Sequence, residues 1–184
     1  MRVDSYRLVL ALYVASIAPQ ALAGTDTAQS HGAHVHGIAS LTFALEQQQA
    51  ELMLESPLVN LTGFEHAPRT AAEQAQWDKT RSLLQSGQWL QLPAAAQCRL
   101  VSHQLDQPWD TAGHSHADQS HADHADLQLS LSYRCAVPQA LTQVAIDLFR
   151  HAADLQQIDV QWVGMQQGAA TLTPAAAKFQ LSQD

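Results

Sequence analysis

Histidine is the residue type that sets this chain apart. Its 184 residues hold 10 histidines against 9 Lys plus Arg. His114, His116, His121 and His124 crowd into residues 107–125, which read QPWDTAGHSHADQSHADHA, and His31, His34 and His36 stand in HGAHVHG. Neutral imidazole is a common ligand of borderline divalent metals, and carboxylates complete the shell or orient the rings from behind. A His-x-His in extended chain sends both rings to one side, and the spacing of His121 to His124 suits a turn or a helix. The expected metal ligands are therefore His31, His34, His36, His114, His116, His121 and His124. Asp118, Asp123 and His66, which follows Glu65 in GFEHAP, are candidate additional ligands. Zn²⁺ is the expected ion. Cu²⁺ or Ni²⁺ would accept the same donors, whereas the 3 methionines disfavour Cu(I).

Bulk composition narrows the partners. Acidic residues outnumber basic ones 17 to 9, a net charge of −8, which argues against nucleic acid because affinity for a phosphate backbone comes from Lys and Arg. An apolar fraction of 46% excludes a wholly disordered chain, and the length suits one hydrophobic core. Arg2 and Arg7 precede an apolar run, Leu8 to Ala18, which Pro19 breaks before Ala21-Leu22-Ala23 and Gly24. This is the pattern of a secretory signal peptide over residues 1–23. Residues 24–184 are then a single periplasmic metal-binding domain, with no membrane insertion after cleavage because no later stretch is apolar enough to span.

The two cysteines fit an oxidising compartment. Gln97 to Asp106 reads as a strand, and in Asp126 to Ala136 the residues Leu127, Leu129, Leu131, Tyr133 and Cys135 share one face. Pairing the two antiparallel with Cys98 opposite Cys135 also sets Leu100 opposite Tyr133 and Ser102 opposite Leu131. A Cys98–Cys135 disulfide is expected, in preference to two thiolate metal ligands that oxidation would remove. It would clamp the base of the histidine-rich segment, whose polar, aperiodic sequence predicts a long disordered loop over 107–125.

The elements that must carry these groups are mostly strands. Ile38 to Leu45 alternates, with His34 and His36 on one face if the strand begins early; the turn Glu46 to Gln49 leads into a second strand over Ala50 to Leu58. Thr70 with Glu73 forms a capping-box pattern, and Trp77, Thr80, Leu83 and Leu84 recur at helical spacing until Gly87. After a helical turn at Pro138, Gln143 to Leu148 and Gln157 to Val163 alternate, and short pairing is expected around Thr171 and Phe179. The fold class is α+β: a single β-rich domain of mainly antiparallel strands with one main helix and a long disordered His-rich loop.

Several stretches carry a family resemblance. They are HVHG (34–37), ESPLVNLTGFEHAP (55–68), LPAAAQC (92–98), the histidine-rich insert before YRC (133–135), and LTP (172–174). Together they resemble the zinc-regulated periplasmic zinc-binding family, ZrgA, over nearly all of residues 31–181. The resemblance implies a small periplasmic protein that binds zinc and assists the inner-membrane zinc ABC importer, with the periplasmic receptor of that importer as a partner. It implies His34, His36 and the four insert histidines as metal contacts. No GxSxG, P-loop, GxGxxG or His-Glu-x-x-His occurs, so an enzyme is not expected. Two alternatives use the same histidines: copper or nickel sequestration, and an envelope interaction protein whose histidines sense acid pH.

Overall fold

The computed structural model describes residues 35–107, 109 and 126–181. Strict alternation in the strands builds a six-stranded sheet in the order β4-β5-β2-β1-β7-β8. Its strands are β1 (Ile38–Glu46), β2 (Gln49–Pro57), β4 (Cys98–Asp106), β5 (Asp126–Cys135), β7 (Gln157–Val163) and β8 (Gln167–Leu172). All pairings are antiparallel except β1 with β7. A smaller sheet, β3-β6-β9, joins β3 (Leu90–Gln91), β6 (Gln143–Ile146) and β9 (Lys178–Gln180). The expected fold class is thus the observed one: a β-rich domain, mainly antiparallel, with one main helix.

One face of the large sheet is the core wall. Leu41 and Phe43 of β1, Leu52 and Leu54 of β2, Leu127, Leu129 and Leu131 of β5, and Ile158 and Val160 of β7 are buried. Each fully buried side chain of this size contributes about 1.5–3 kcal/mol of transfer free energy. Opposite them lie Trp89, Val144, Ile146 and Phe179 of the second layer, in the same core cluster. Phe179 meets Phe43 edge-on with centroids 6.1 Å apart and lies 5.2 Å from Trp162. The other face is polar: Glu51 accepts from Ser132 at 2.8 Å and Glu55 from Gln128 at 2.8 Å. This division into one dry and one wet face is what the period-two pattern requires of an antiparallel sheet.

The main helix, α2 (Ala71–Ser86), begins at the expected capping box. Thr70 accepts from the backbone N–H of Glu73 at 3.2 Å, and the Glu73 carboxylate accepts from the N–H groups of Arg69 at 2.7 Å and Thr70 at 3.1 Å. The Arg69 amide above all holds the Glu73 carboxyl below the usual carboxylate range. Trp77, Thr80 and Leu84 form the buried stripe, so Trp77 is core as its spacing implied. Gly87 ends the helix at φ 64°, and its carbonyl accepts from the Tyr133 hydroxyl at 3.3 Å.

Burial pushes the Tyr133 phenol up to about 12. A phenol whose folded value is raised stabilises the native state fully below its unfolded value of 10, and that contribution is lost as pH rises toward 12. Alkaline titration followed by phenolate absorbance should therefore show Tyr133 ionising late, together with loss of tertiary signal. Ionisation near pH 10 with the fold intact would contradict the burial argument.

Several expectations are corrected. Cys98 faces Cys135 and Leu100 faces Tyr133, but a bulge at Val101 then shifts the register, so Ser102 faces Ser132 and His103 faces Leu131. The extra residue restores Leu105 to the core side opposite Leu129. The strand from Gln143 ends at Ile146, where a 3-10 turn, Leu148–Arg150, follows. The short pairing expected around Thr171 and Phe179 is present, with Thr171 facing Asp159 in the large sheet and Phe179 facing Val144 in the small one. The five-residue helix α1 (Leu58–Thr62) takes Leu58 out of the second strand. The loop expected over 107–125 lies largely outside the described residues.

Candidate metal centre

The site is built at one end of the large sheet. Antiparallel pairing of β1, β2, β5 and β4, with β7 parallel to β1, brings the start of β1, the end of β2, the start of β5, the end of β4 and the start of β7 to that end. Pro57 faces Asp126 and Ile38 faces Gln157. Both roots of the histidine-rich insert, Asp106 and Asp126, therefore emerge where the chain enters β1 just after His36. The strands β5 and β1 are two positions apart, roughly 10 Å. At the first root Trp109 packs edge-on against Trp77 of α2, with centroids 5.2 Å apart.

The backbone beside His36 is held from two sides. Gly37 adopts φ 85°, in a turn closed by Ile38 N–H donating to Val35 O at 3.1 Å. Buried Asn60 of α1 accepts from Gly37 N–H at 2.7 Å and donates to Ile38 O at 2.9 Å and to Ser56 Oγ at 3.2 Å. The Gly37 carbonyl accepts from Gln156 at 2.8 Å and Gln157 at 2.9 Å. With these bonds the backbone polar groups of a buried turn are satisfied by one side chain and the lead-in to β7.

The same short helix aims the facing residue. Gly63 caps α1 at φ 84°, its N–H donating to Val59 O at 2.8 Å, and the Thr62 hydroxyl lies 3.0 Å from Leu58 O and 2.9 Å from Phe64 O. The chain then turns back so that Glu65 Oε1 lies 2.7 Å from His36 Nε2. His36 is 61% exposed and Glu65 30%. Asp154 flanks the pair: its carbonyl lies beside Gly37, and its carboxylate stands 3.9 Å from the position a Cβ on Gly63 would take. Next in the chain, the His66 ring stacks on Phe64 with centroids 5.5 Å apart, and its Nδ1 lies 3.0 Å from Ala67 O. A proton shared with that carbonyl sits on Nδ1 and leaves Nε2 as the free donor atom.

The placement of the expected ligands divides sharply. Of the expected ligands His36 and His66 are described: His36 contacts Glu65, and His66 follows Glu65 in the chain. His36 precedes β1 in a turn rather than standing on an early-starting strand. His31, His34, His114, His116, His121, His124, Asp118 and Asp123 lie outside the described residues. Among the described residues no group of three His, Cys, Asp or Glu side chains is arranged to hold a metal ion. The cysteines supply no thiolate, because Cys98 and Cys135 form the expected disulfide, but it closes the end of the β4–β5 pair opposite the insert and so does not clamp the insert's base. His103 sits on exposed β4, and His151 lies 3.9 Å from Asp147. Sequence reasoning named Glu65 only as the neighbour of His66 and passed over Asn60 and Asp154. Glu65 and Asn60 both lie in the stretch ESPLVNLTGFEHAP, which could have flagged them; Asp154 has no local signal.

The result is a β-rich domain with an imidazole–carboxylate contact held at one sheet end, the same end from which the histidine-rich insert leaves two strands away. The chain belongs to the ZrgA family of zinc uptake proteins, whose family model matches residues 33–181. That is a zinc uptake family and not an enzyme family. No curated protein matches the chain. Among the described residues no helix is long and apolar enough to cross a membrane.

Proposed function

We propose that this protein captures Zn²⁺ in the periplasm and assists its uptake by passing the ion to the periplasmic receptor of an inner-membrane zinc importer. Residues 1–23 act as the signal that exports it. His36 supplies the ligand at the entry to β1, His34 two residues before it in the sequence is a second, the four insert histidines raise the local ligand concentration, and His31, His66, Asp118 and Asp123 are the further donors.

The observation that carries this reading is the placement of His36 at the sheet end from which both Asp106 and Asp126 launch the insert. A fully extended chain covers about 3.3 Å per residue, so ligands a few residues before Asp126 are within reach of a ring two strands away. A tethered ligand set of this kind trades affinity for exchange, which suits delivery to a tighter receptor. The disulfide withdraws both thiolates and leaves imidazole and carboxylate, a donor set suited to Zn²⁺.

Equilibrium dialysis of the untagged protein against micromolar zinc, followed by elemental analysis, tests this. Zinc should be retained at neutral pH and released as pH falls through roughly 6.5, because imidazole binds metal only when unprotonated. A protein that emerges without zinc overturns the reading. Induction by copper excess but not by zinc depletion would reassign it to copper sequestration.

A further inference from the structure

We infer that Glu65 is a positioning residue that fixes His36 as an Nδ1 ligand, an inference that rests on His36 belonging to the zinc site. His36 Nε2 and Glu65 Oε1 form an imidazole–carboxylate pair 2.7 Å apart, and of the two partners an ionised carboxylate carries no proton to share. The proton therefore belongs to His36 Nε2. In a neutral imidazole the lone pair is then on Nδ1, and that nitrogen faces the ion. Metal-ligating histidines characteristically give their second ring N–H to a carboxylate or carbonyl, which fixes the tautomer and raises ligand basicity.

The surroundings match a device for orientation rather than for stability. With His36 61% exposed, an ion pair there adds little to folding. Its backbone is nevertheless tied down with unusual care. Asn60 holds Gly37 and Ile38 from within α1, and Gly63, three residues further on, caps the same helix and directs Glu65. One five-residue helix thus sets the separation of both partners. A pre-set ring loses less freedom when the ion arrives, which is where such a contact yields affinity.

Competition of the purified protein with a chromophoric zinc chelator, on wild type, Glu65→Ala, Glu65→Gln and His36→Ala, tests the assignment. Glutamine keeps an acceptor oxygen for Nε2–H, so E65Q should stay within about threefold of wild type for the tightest zinc. E65A should weaken it about 10- to 100-fold, the usual cost of losing an outer partner of a metal-binding histidine. Thermal melts of both variants should match wild type, which separates positioning from folding. Nitrogen NMR of the zinc-loaded protein should place the metal-induced shift on His36 Nδ1. E65A binding like wild type while H36A is weakened overturns the role of Glu65 alone. E65Q failing as badly as E65A, or the shift appearing on Nε2, makes Glu65 a direct ligand and also overturns it. H36A binding like wild type removes His36 from the site and takes the reading itself with it.

Discussion

Changing His114, His116, His121 and His124 together to alanine lowers the zinc bound per molecule and weakens what remains, while the fold persists. The first half follows from ligand count: four of the seven expected imidazole ligands go at once. Losing a mere outer-shell partner commonly costs 10- to 100-fold in metal affinity, so loss of the insert's donors should cost at least about tenfold. The second half follows from the core. Among the described residues a large buried cluster is assembled from other side chains, and the strands that launch the insert are held by β2 on one side and the disulfide at the far end. Surface substitutions away from packed features usually change stability by no more than about 0.5 kcal/mol. Isothermal titration with Zn²⁺ alongside urea denaturation separates the two effects. Unaltered stoichiometry and affinity in the fourfold variant would take the insert out of the mechanism and leave the site at His36 to account for all binding.

The parts of this fold that were legible are those whose physics is local or strictly periodic. The alternation from Leu127 to Cys135 needs only a sheet with one dry face, and the box at Thr70 and Glu73 is written within four residues. From those strands the facing of Cys98 and Cys135 followed directly. The bulge at Val101 did not follow, because an extra residue on an edge strand costs little and leaves no compositional mark. The first residue of helix α1, Leu58, reads as the tail of a strand and the helix itself is missed: Leu58 to Thr62 is too short for periodicity to tell the two apart. The small sheet eluded the pattern for a related reason, since β3 and β9 hold 2 and 3 residues.

The candidate site divides along the same line. Histidine clusters announce a ligand chemistry in any one-dimensional reading, yet the groups that present His36 are distant in sequence. Asn60 reaches back 23 residues to Gly37, and Glu65 comes from beyond the far end of the same helix. A buried asparagine between two leucine-rich stretches reads as a capping or turn residue. Its bond to Ser56 is local, but its bonds to Gly37 and Ile38 exist only once β1 and β2 have paired.

Replacing both Cys98 and Cys135 by alanine should remove about 4 kcal/mol of stability, the chain-entropy value for a loop closed across 37 residues of separation. With a denaturant dependence typical of small domains, that lowers the urea midpoint by about 2 M. Alanine is the informative substitution because Cys135 is fully buried, and serine would add the cost of an unpartnered hydroxyl. The loss should fall first on β4, an edge strand mostly open to solvent and paired only to β5, so its amides should exchange early in a hydrogen-exchange experiment. A change below about 1 kcal/mol would mean that the unfolded chain gains little freedom from the cut, against the entropic model. The disulfide also bears on the metal. Reduction would free two soft ligands at the end of the β4–β5 pair remote from His36 and would loosen the strand that carries one root of the insert. Thiolate binding and a firmly anchored imidazole site are therefore alternatives in this fold, and an oxidising compartment selects the second.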